Sequence, residues 1–494
     1  MQGTGIRLFI GGVLLVTSGG WARAEALQPD AAWQQGKLGN GFAWQVLTTP
    51  QRPNDRIELR LMVNTGSLAE NAQQTGFARL IARLALTHGE NFTTAQLTSL
   101  WQQGANEQRP QPPARVSYDT TLYSLSLPNG RPDLLKEALK WMVNTAGHLS
   151  ITPAAVQQAL AAADPVATVP EKPRNSWWHY RLKGSQLLAH GPDAAAKSPV
   201  DAEQVQHFYQ RWYTPDAMTL YVVGNVDGRA LNEQIVKTFS ALQGKRDTPA
   251  TVPTMSPLPH QPVSLFSDEG DYDSLKLVWD NPWQPIRDSQ SLNRYWRGDL
   301  AREALYMHLQ QALKESDLKQ TNLRFDCNVN YLRAQCAIHI DTQADNLTPS
   351  LTFVAHELAN VRNNGLNQSE FDALMARKTA ELSTLFATYA RTSTDVLMSQ
   401  RLRSQQNEVV DIAPEQYQKL RSAFLGGLSL QMLNQELRAQ LSQNATLVLM
   451  QPNGEPEVNM KALQESYEHI MDPGPLPATI DESKPEVTDI PPAS

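Results

Sequence analysis

The sequence predicts an α+β protein made of two similar halves. Three observations carry that expectation. Runs of period-two alternation close into hairpins, stretches of helical period lie between them, and a proline-dense segment sits near the middle of the chain. The order β-β-α-hairpin-α-α recurs on both sides of that segment, a faint internal duplication. The 494 residues are 41% hydrophobic and 19% charged, which excludes a collagen-like repeat, a fully disordered chain and a polytopic membrane protein. A net charge of −7 without a long basic run argues against a nucleic-acid partner.

The elements follow in order. Met1–Arg7 is basic, Leu8–Val16 is apolar, and Ala22-Arg23-Ala24 offers small residues at the −3 and −1 positions of a cleavage site. This layout over residues 1–24 reads as a secretory signal peptide, too short to span a bilayer; an uncleaved anchor is the alternative. Cleavage removes Arg7 and Arg23 and no acid, so the mature charge becomes −9. The expected product is soluble, without a membrane span, and lies in the periplasm.

A first domain is expected over residues 30–244. Phe42–Leu47 and Ile57–Val63 read as strands, and Gly76–Leu86 turns helical with Phe77, Leu80, Ile81 and Leu84 on one face. Val116–Leu127 alternates again, Pro132–Asn144 and Pro153–Ala163 read as helices, Asp201–Tyr213 as a helix, and Met218–Val223 as a buried strand. Residues 245–262 hold five prolines and read as an extended linker. The second domain, residues 263–472, opens with strands at Ser264–Phe266 and Leu275–Trp279. A long helix at Leu292–Ser316, a hairpin and helices at Ser350–Asn363 and Ser369–Ala387 follow. The tail, 473–494, is proline-rich and acidic and is expected to be disordered. Cys327 and Cys336 flank a hairpin centred on Tyr331-Leu332, which makes them a cross-strand pair, either disulfide-bonded or reduced and half-buried.

Several phrases in a consistent order resemble the pitrilysin/insulinase family of zinc metallopeptidases, the inverzincins. Gly36–Leu47 is similar to its opening strand, Leu59–Glu70 to its second strand and loop, and Ser117–Pro128 to a later strand. Phe208–Asp227 (FYQRWYTPDAMTLYVVGNVD) is the most specific match. The resemblance implies two pitrilysin-like halves, each an antiparallel sheet covered by helices, clasped around an interior chamber. It also implies a catalytic zinc bound by H-x-x-E-H on the Gly76–Leu86 helix and completed by a glutamate from a later helix.

Those ligands are missing. The aligned positions are Arg79, Ala82 and Arg83, and Pro153–Asp164 contains no glutamate. A guanidinium has no lone pair to donate and stays protonated. No metal ligand and no cofactor are therefore expected, and no catalytic residue is assigned. Arg79, Ala82 and Arg83 are read as sharing a face opposite the apolar stripe, where the two arginines would grip a carboxylate of a peptide or protein ligand. The partner is expected to be such a ligand or an active family member that this chain complements. The alternatives are an active zinc endopeptidase with a non-standard or partner-completed site, and a purely structural envelope protein.

Other candidates are weaker. His88, His148, His179, His190 and His207 lack ligand spacing, His356-Glu357 is followed by Asn360 where H-E-x-x-H needs histidine, and His308 and His339 read as structural. Family members take peptides as an added strand next to the segment that corresponds to Arg109–Arg115; here Pro110, Pro112 and Pro113 remove the N–H donors such pairing needs. Trp177-Trp178-His179-Tyr180 either lines a groove or packs in the core.

Overall fold

The structure is a computed structural model that describes residues 24–171 and 175–471. The expected signal peptide, apart from Ala24, and the expected disordered tail at 473–494 lie outside the described residues.

The first half runs β1 (Trp33–Lys37), β2 (Ala43–Thr48), β3 (Ile57–Val63), α1 (Phe77–Thr87), α2 (Thr94–Gln103), β4 (Ala114–Val116), β5 (Thr121–Leu127), α3 (Pro132–Gly147), α4 (Pro153–Ala161), β6 (Ala167–Thr168), α5 (Ser176–Leu182), α6 (Ala202–Trp212), β7 (Met218–Gly224) and α7 (Gly228–Phe239). The second half runs β8 (Val263–Ser267), β9 (Asp273–Pro282), α8 (Ser289–Glu315), β10 (Asn322–Asn330), β11 (Arg333–Thr342), α9 (Leu347–Asn364), α10 (Gln368–Ser383), α11 (Leu385–Arg391), α12 (Thr394–Gln406), α13 (Pro414–Gly427), α14 (Leu430–Leu441), β12 (Thr446–Pro452) and α15 (Met460–Met471).

The duplication is clearer in the sheets than in the sequence. The first sheet has the order β1-β2-β7-β3-β5-β4-β6 and the second β10-β11-β9-β12-β8. Read in one direction, β2-β7-β3-β5-β4 and β8-β12-β9-β11-β10 correspond strand for strand in order. In both, the late strand inserts beside the first and runs parallel to it. The sheets are therefore mixed and not purely antiparallel. The long return of the chain delivers β7 and β12 in the direction of β2 and β8.

Alternation explains how each sheet is covered. Along β3, Leu59, Leu61 and Val63 enter the main core with Leu220 and Val222 of β7, beneath α1, α3 and α6. Tyr221 and Val223 point the other way, into a cluster with Leu397 and Met398 of α12, a helix of the second half. Glu58 and Arg60 share that face and pair at 3.1 Å. Reciprocally, Trp177 and Tyr180 of α5 pack on Val263 and Leu265 of β8 beside Val278, Ala337 and Val448 of the second sheet. Each half thus lends a helix to the other. These residues pack between the halves instead of lining the interior chamber expected above, and Trp177 and Tyr180 are packing residues.

The linker is extended but pinned. Met255 and Leu258 are buried, and Leu258 N–H donates to Asp280 at 2.9 Å. Asp280 is also 3.4 Å from Arg181 of the first half and 2.5 Å from Arg333. The hairpin turn lies at Tyr331-Leu332, as its centring predicts, with φ of 49° and 60°. A left-handed turn matches strand twist but disfavours these side chains. Tyr331 occupies it with its ring edge-on to Tyr118 of the first half, 5.7 Å between centroids. Cys327 and Cys336 face each other across this hairpin and are disulfide-bonded.

Candidate functional site

The site is organised by α1, and its entry is fixed by two residues. Gly76 caps the helix at φ 84°, and a Cβ there would come within 2.3 Å of the Ala196 backbone nitrogen, so only glycine fits. The helix has no side-chain cap of its own. Glu70, upstream on the preceding loop, accepts from Gly76 N–H at 3.1 Å and Ala78 N–H at 2.8 Å. Burial pushes its carboxyl up to about 7, against the opposing pull of these backbone donors.

Down the helix, Phe77, Leu80, Ile81 and Leu84 are buried as their spacing predicts. Ala82 is buried as well, which corrects its placement beside Arg79 and Arg83 on a face away from the core. The helix is covered on two sides, by the sheet and by α4 and α6, so little of its circumference is free. Arg79 and Arg83 flank this buried alanine and both turn to the C-terminal end of α4. Arg79 Nε lies 2.6 Å from Asp164 Oδ2, and its Nη1 donates to the Asp193 carbonyl at 2.7 Å. Arg83 Nε lies 3.9 Å from the other Asp164 oxygen, while its Nη2 donates to the carbonyls of Ala159 and, at 2.8 Å, Ala162. Two cations thus straddle one carboxylate and the negative end of a helix dipole. The carboxylate facing the paired arginines is the chain's own.

The neighbouring sheet edge is also occupied. On one side β4 pairs with β5; on the other it pairs in parallel with β6, Arg115 opposite Ala167 and Val116 opposite Thr168, and Val169 N–H donates to the Val116 carbonyl at 2.9 Å. The prolines at 110, 112 and 113 precede β4, and the Pro113 carbonyl accepts from Ser124 N–H of β5 at 3.0 Å.

Comparison with known proteins bears on this arrangement. The model of the insulinase family (peptidase family M16) matches residues 45–183, and that of the peptidase M16 inactive domain matches residues 199–378. Protein YhjJ of Escherichia coli (strain K12) is 59% identical over the whole of both chains. The chain belongs to the M16 peptidase family. A solved structure described as a predicted insulinase family protease from Yersinia pestis is 62% identical. The match covers 94% of this chain and 100% of that one, with a TM-score of 0.89. The periplasmic protease PqqL from Escherichia coli shares the fold at 19% identity and a TM-score of 0.77, over 90% of this chain and 51% of its own. The M16 chain described here thus spans about half of PqqL.

The M16 relatives include zinc proteases, and the residues here do not fit that ion. At the metal-helix positions stand two guanidinium groups and a methyl, with the Asp164 carboxylate held between the guanidiniums. Among the described residues no group of three or more His, Cys, Asp or Glu could hold a metal. His88 caps the end of α1 and bridges Thr87 and Gln158. His339 pairs with Asp326 at 3.0 Å, and His356 is exposed. His308 is more connected than its sequence context predicts, with Nδ1 2.5 Å from Glu370 and Nε2 2.9 Å from Glu357. Burial lowers its pKa, but the two carboxylate hydrogen bonds outweigh this and raise it overall.

Two residues of this site have no signature in the sequence: the family pattern points to a glutamate where Asp164 stands, and Glu70 caps the helix from six residues upstream of Gly76. The excess of arginine over acid on α1 was the available signal for an acidic partner.

Proposed function

We propose that this M16 chain is exported to the periplasm, does not hydrolyse peptides, and is retained to bind peptide or protein or to complement an active family member. The observation that carries the reading is the Asp164 carboxylate seated between Arg79 and Arg83. A zinc ion there would have to displace an ion pair, and no lone pair would replace it. The edge pairing of β4 with β6 supports the same reading, because an added substrate strand would compete with the chain's own. Export is supported by the signal-like first 24 residues and by the fold shared with a periplasmic protease.

Purified periplasmic protein is expected to begin at Glu25, to carry zinc well below stoichiometry, and to leave a peptide library uncut. Stoichiometric zinc with chelator-sensitive cleavage would refute the reading. It would favour the alternative, a peptidase with a non-standard or partner-completed site, which family membership alone supports. Peptide binding at Arg79 and Arg83 requires that a ligand carboxylate displace Asp164. Asp164→Asn is then expected to raise affinity for acidic peptides, measured by titration calorimetry; equal affinity in both forms rejects that site.

A further inference from the structure

The second half holds a cleft that the degenerate metal position does not involve. It encloses about 870 Å³ between α8, the β9–β11 face, the end of α12 and α14. That size suits a small ligand or a few residues of a peptide. Its walls combine aromatic rings with three arginines, Arg294, Arg302 and Arg403, and two carboxylates, Asp299 and Glu436. Trp279 and Trp283 have their indole N–H groups engaged by the Gln443 and Asn407 carbonyls, at 2.8 and 2.7 Å. Their remaining exposed surface in the cleft is therefore apolar ring. Tyr295 stands edge-on to Trp283 at 5.6 Å, and Tyr306 is stacked on Phe325 at 4.2 Å.

Arg302 projects from α8 beside these rings, where this cleft meets a second one of about 770 Å³ along β10; it lines both. Its guanidinium is under-used. Its Nε is cut off from solvent and meets no acceptor among the described residues, and its nearest carboxylate, Asp299, is 3.9 Å from Nη2. Arg377 and Lys378, by contrast, share Glu303 at 3.1 and 2.6 Å. The side chain is 24% exposed, and an oxygen anion reaching that exposed part can make the short charge-assisted hydrogen bonds that Asp299, at 3.9 Å, does not. The complementary ligand carries a carboxylate next to an aromatic or branched apolar group.

We infer that this cleft is a binding site for the carboxy terminus of a peptide with an apolar last residue, the α-carboxylate on Arg302 and the side chain among Trp279, Trp283, Tyr295 and Tyr306. The inference rests on the peptide-holding part of the proposed function and gives it a place separate from the Arg79–Asp164–Arg83 cluster. In that cluster Asp164 lies 2.6 Å from Arg79, whereas Arg302 comes no nearer than 3.9 Å to Asp299.

The test uses the mature full-length protein, with titration calorimetry and tryptophan fluorescence as readouts. The probes are acetyl-Ala-Ala-Phe as free acid, the same peptide amidated, and decanoate. The free acid is expected to bind and to change tryptophan emission, with the amide about tenfold weaker, the loss of one charge-assisted hydrogen-bond partner. Arg302→Gln is expected to abolish the preference for the acid and Arg302→Lys to restore part of it. Should Arg302→Gln fail to fold, the acid-against-amide comparison on the unmodified protein and Arg302→Lys decide the matter. Equal binding of acid and amide, or an acid preference that survives Arg302→Gln, overturns the cleft assignment while leaving catalytic inactivity to the zinc and hydrolysis assays. Binding of decanoate without the peptide, or of neither, also overturns it.

Discussion

Glu70 offers a prediction whose sign is not obvious from its contacts. Its carboxyl accepts from backbone N–H groups at the start of α1, an arrangement that by itself favours the charged form. Burial acts the other way and is the larger effect, placing the carboxyl at about 7 against an ordinary 4.5. Between those two pH values the folded protein holds a proton that the unfolded chain has released. The stabilisation is therefore complete below pH 4.5 and is lost as pH rises through about 7. At 1.36 kcal/mol for each pH unit, the interval amounts to about 3 kcal/mol. Glu70→Gln keeps the shape of the protonated acid and does not titrate. Chemical denaturation of both forms from pH 4 to 8 gives a difference in unfolding free energy that isolates this group from every other titration. The unmodified protein should lose about 3 kcal/mol relative to the variant across that range. A flat difference would mean that burial and the amide donors cancel. A gain in stability of the unmodified protein relative to the variant as pH rises would show that the donors dominate and would refute the argument.

Other consequences can be measured in the same way. Asp164→Asn leaves two half-buried guanidinium groups sharing only carbonyl partners, and should cost about 1–2 kcal/mol; a double-mutant cycle with Arg79→Gln that shows no coupling would reject the clamp. Leu332→Gly removes an exposed side chain from a residue at φ 60° and should stabilise by about 0.5–1 kcal/mol, seen as a higher denaturant midpoint at unchanged slope. His308, with its pKa raised by Glu357 and Glu370, stabilises the protonated fold below pH 6.5, and that contribution fades as pH rises past its folded value. His308→Gln should therefore cost more at pH 5 than at pH 9, and an equal cost at both would contradict the pairing. Replacing Cys327 and Cys336 with serine opens a cross-link of sequence separation 9 and should cost about 2–3 kcal/mol by the loop-entropy relation, with reductant producing a matching shift in the unmodified protein.

Much of the fold was legible because period and punctuation agreed. The spacing of Phe77, Leu80, Ile81 and Leu84 marked the buried side of α1, and the positions of Cys327 and Cys336 centred the hairpin on the residues that turn it. The phrase 208–227 was readable because its residues answer to local demands. Phe208, Tyr209 and Trp212 are buried along α6, Leu220 and Val222 alternate into the core, and Asp227 caps α7 through the N–H groups of Arg229 and Ala230. What escaped was set by contacts distant in sequence. Nothing near Ala82 indicated that α4 and α6 would cover its side of the helix. The acid opposite Arg79 and Arg83 lies over 80 residues away on a loop after α4, and β6 is only two residues long. The exchange of α5 and α12 between halves had no local pattern, since the residues each helix buries, Arg401 and Thr394 of α12 among them, are set by a sheet of the other half.

That exchange bears on how the polypeptide can be divided. The proline-rich segment looks like a natural cut site, yet α12 is needed to cover Tyr221 and Val223, and α5 to cover Val263 and Leu265. A fragment ending near Gly244 and one starting near Pro262 would each leave an oily sheet face bare and should be insoluble when made singly. Produced together in one cell, they should find one another and reassociate as a stable pair. Cleavage of the peptide bond in that segment would then leave the particle intact, held by the two lent helices.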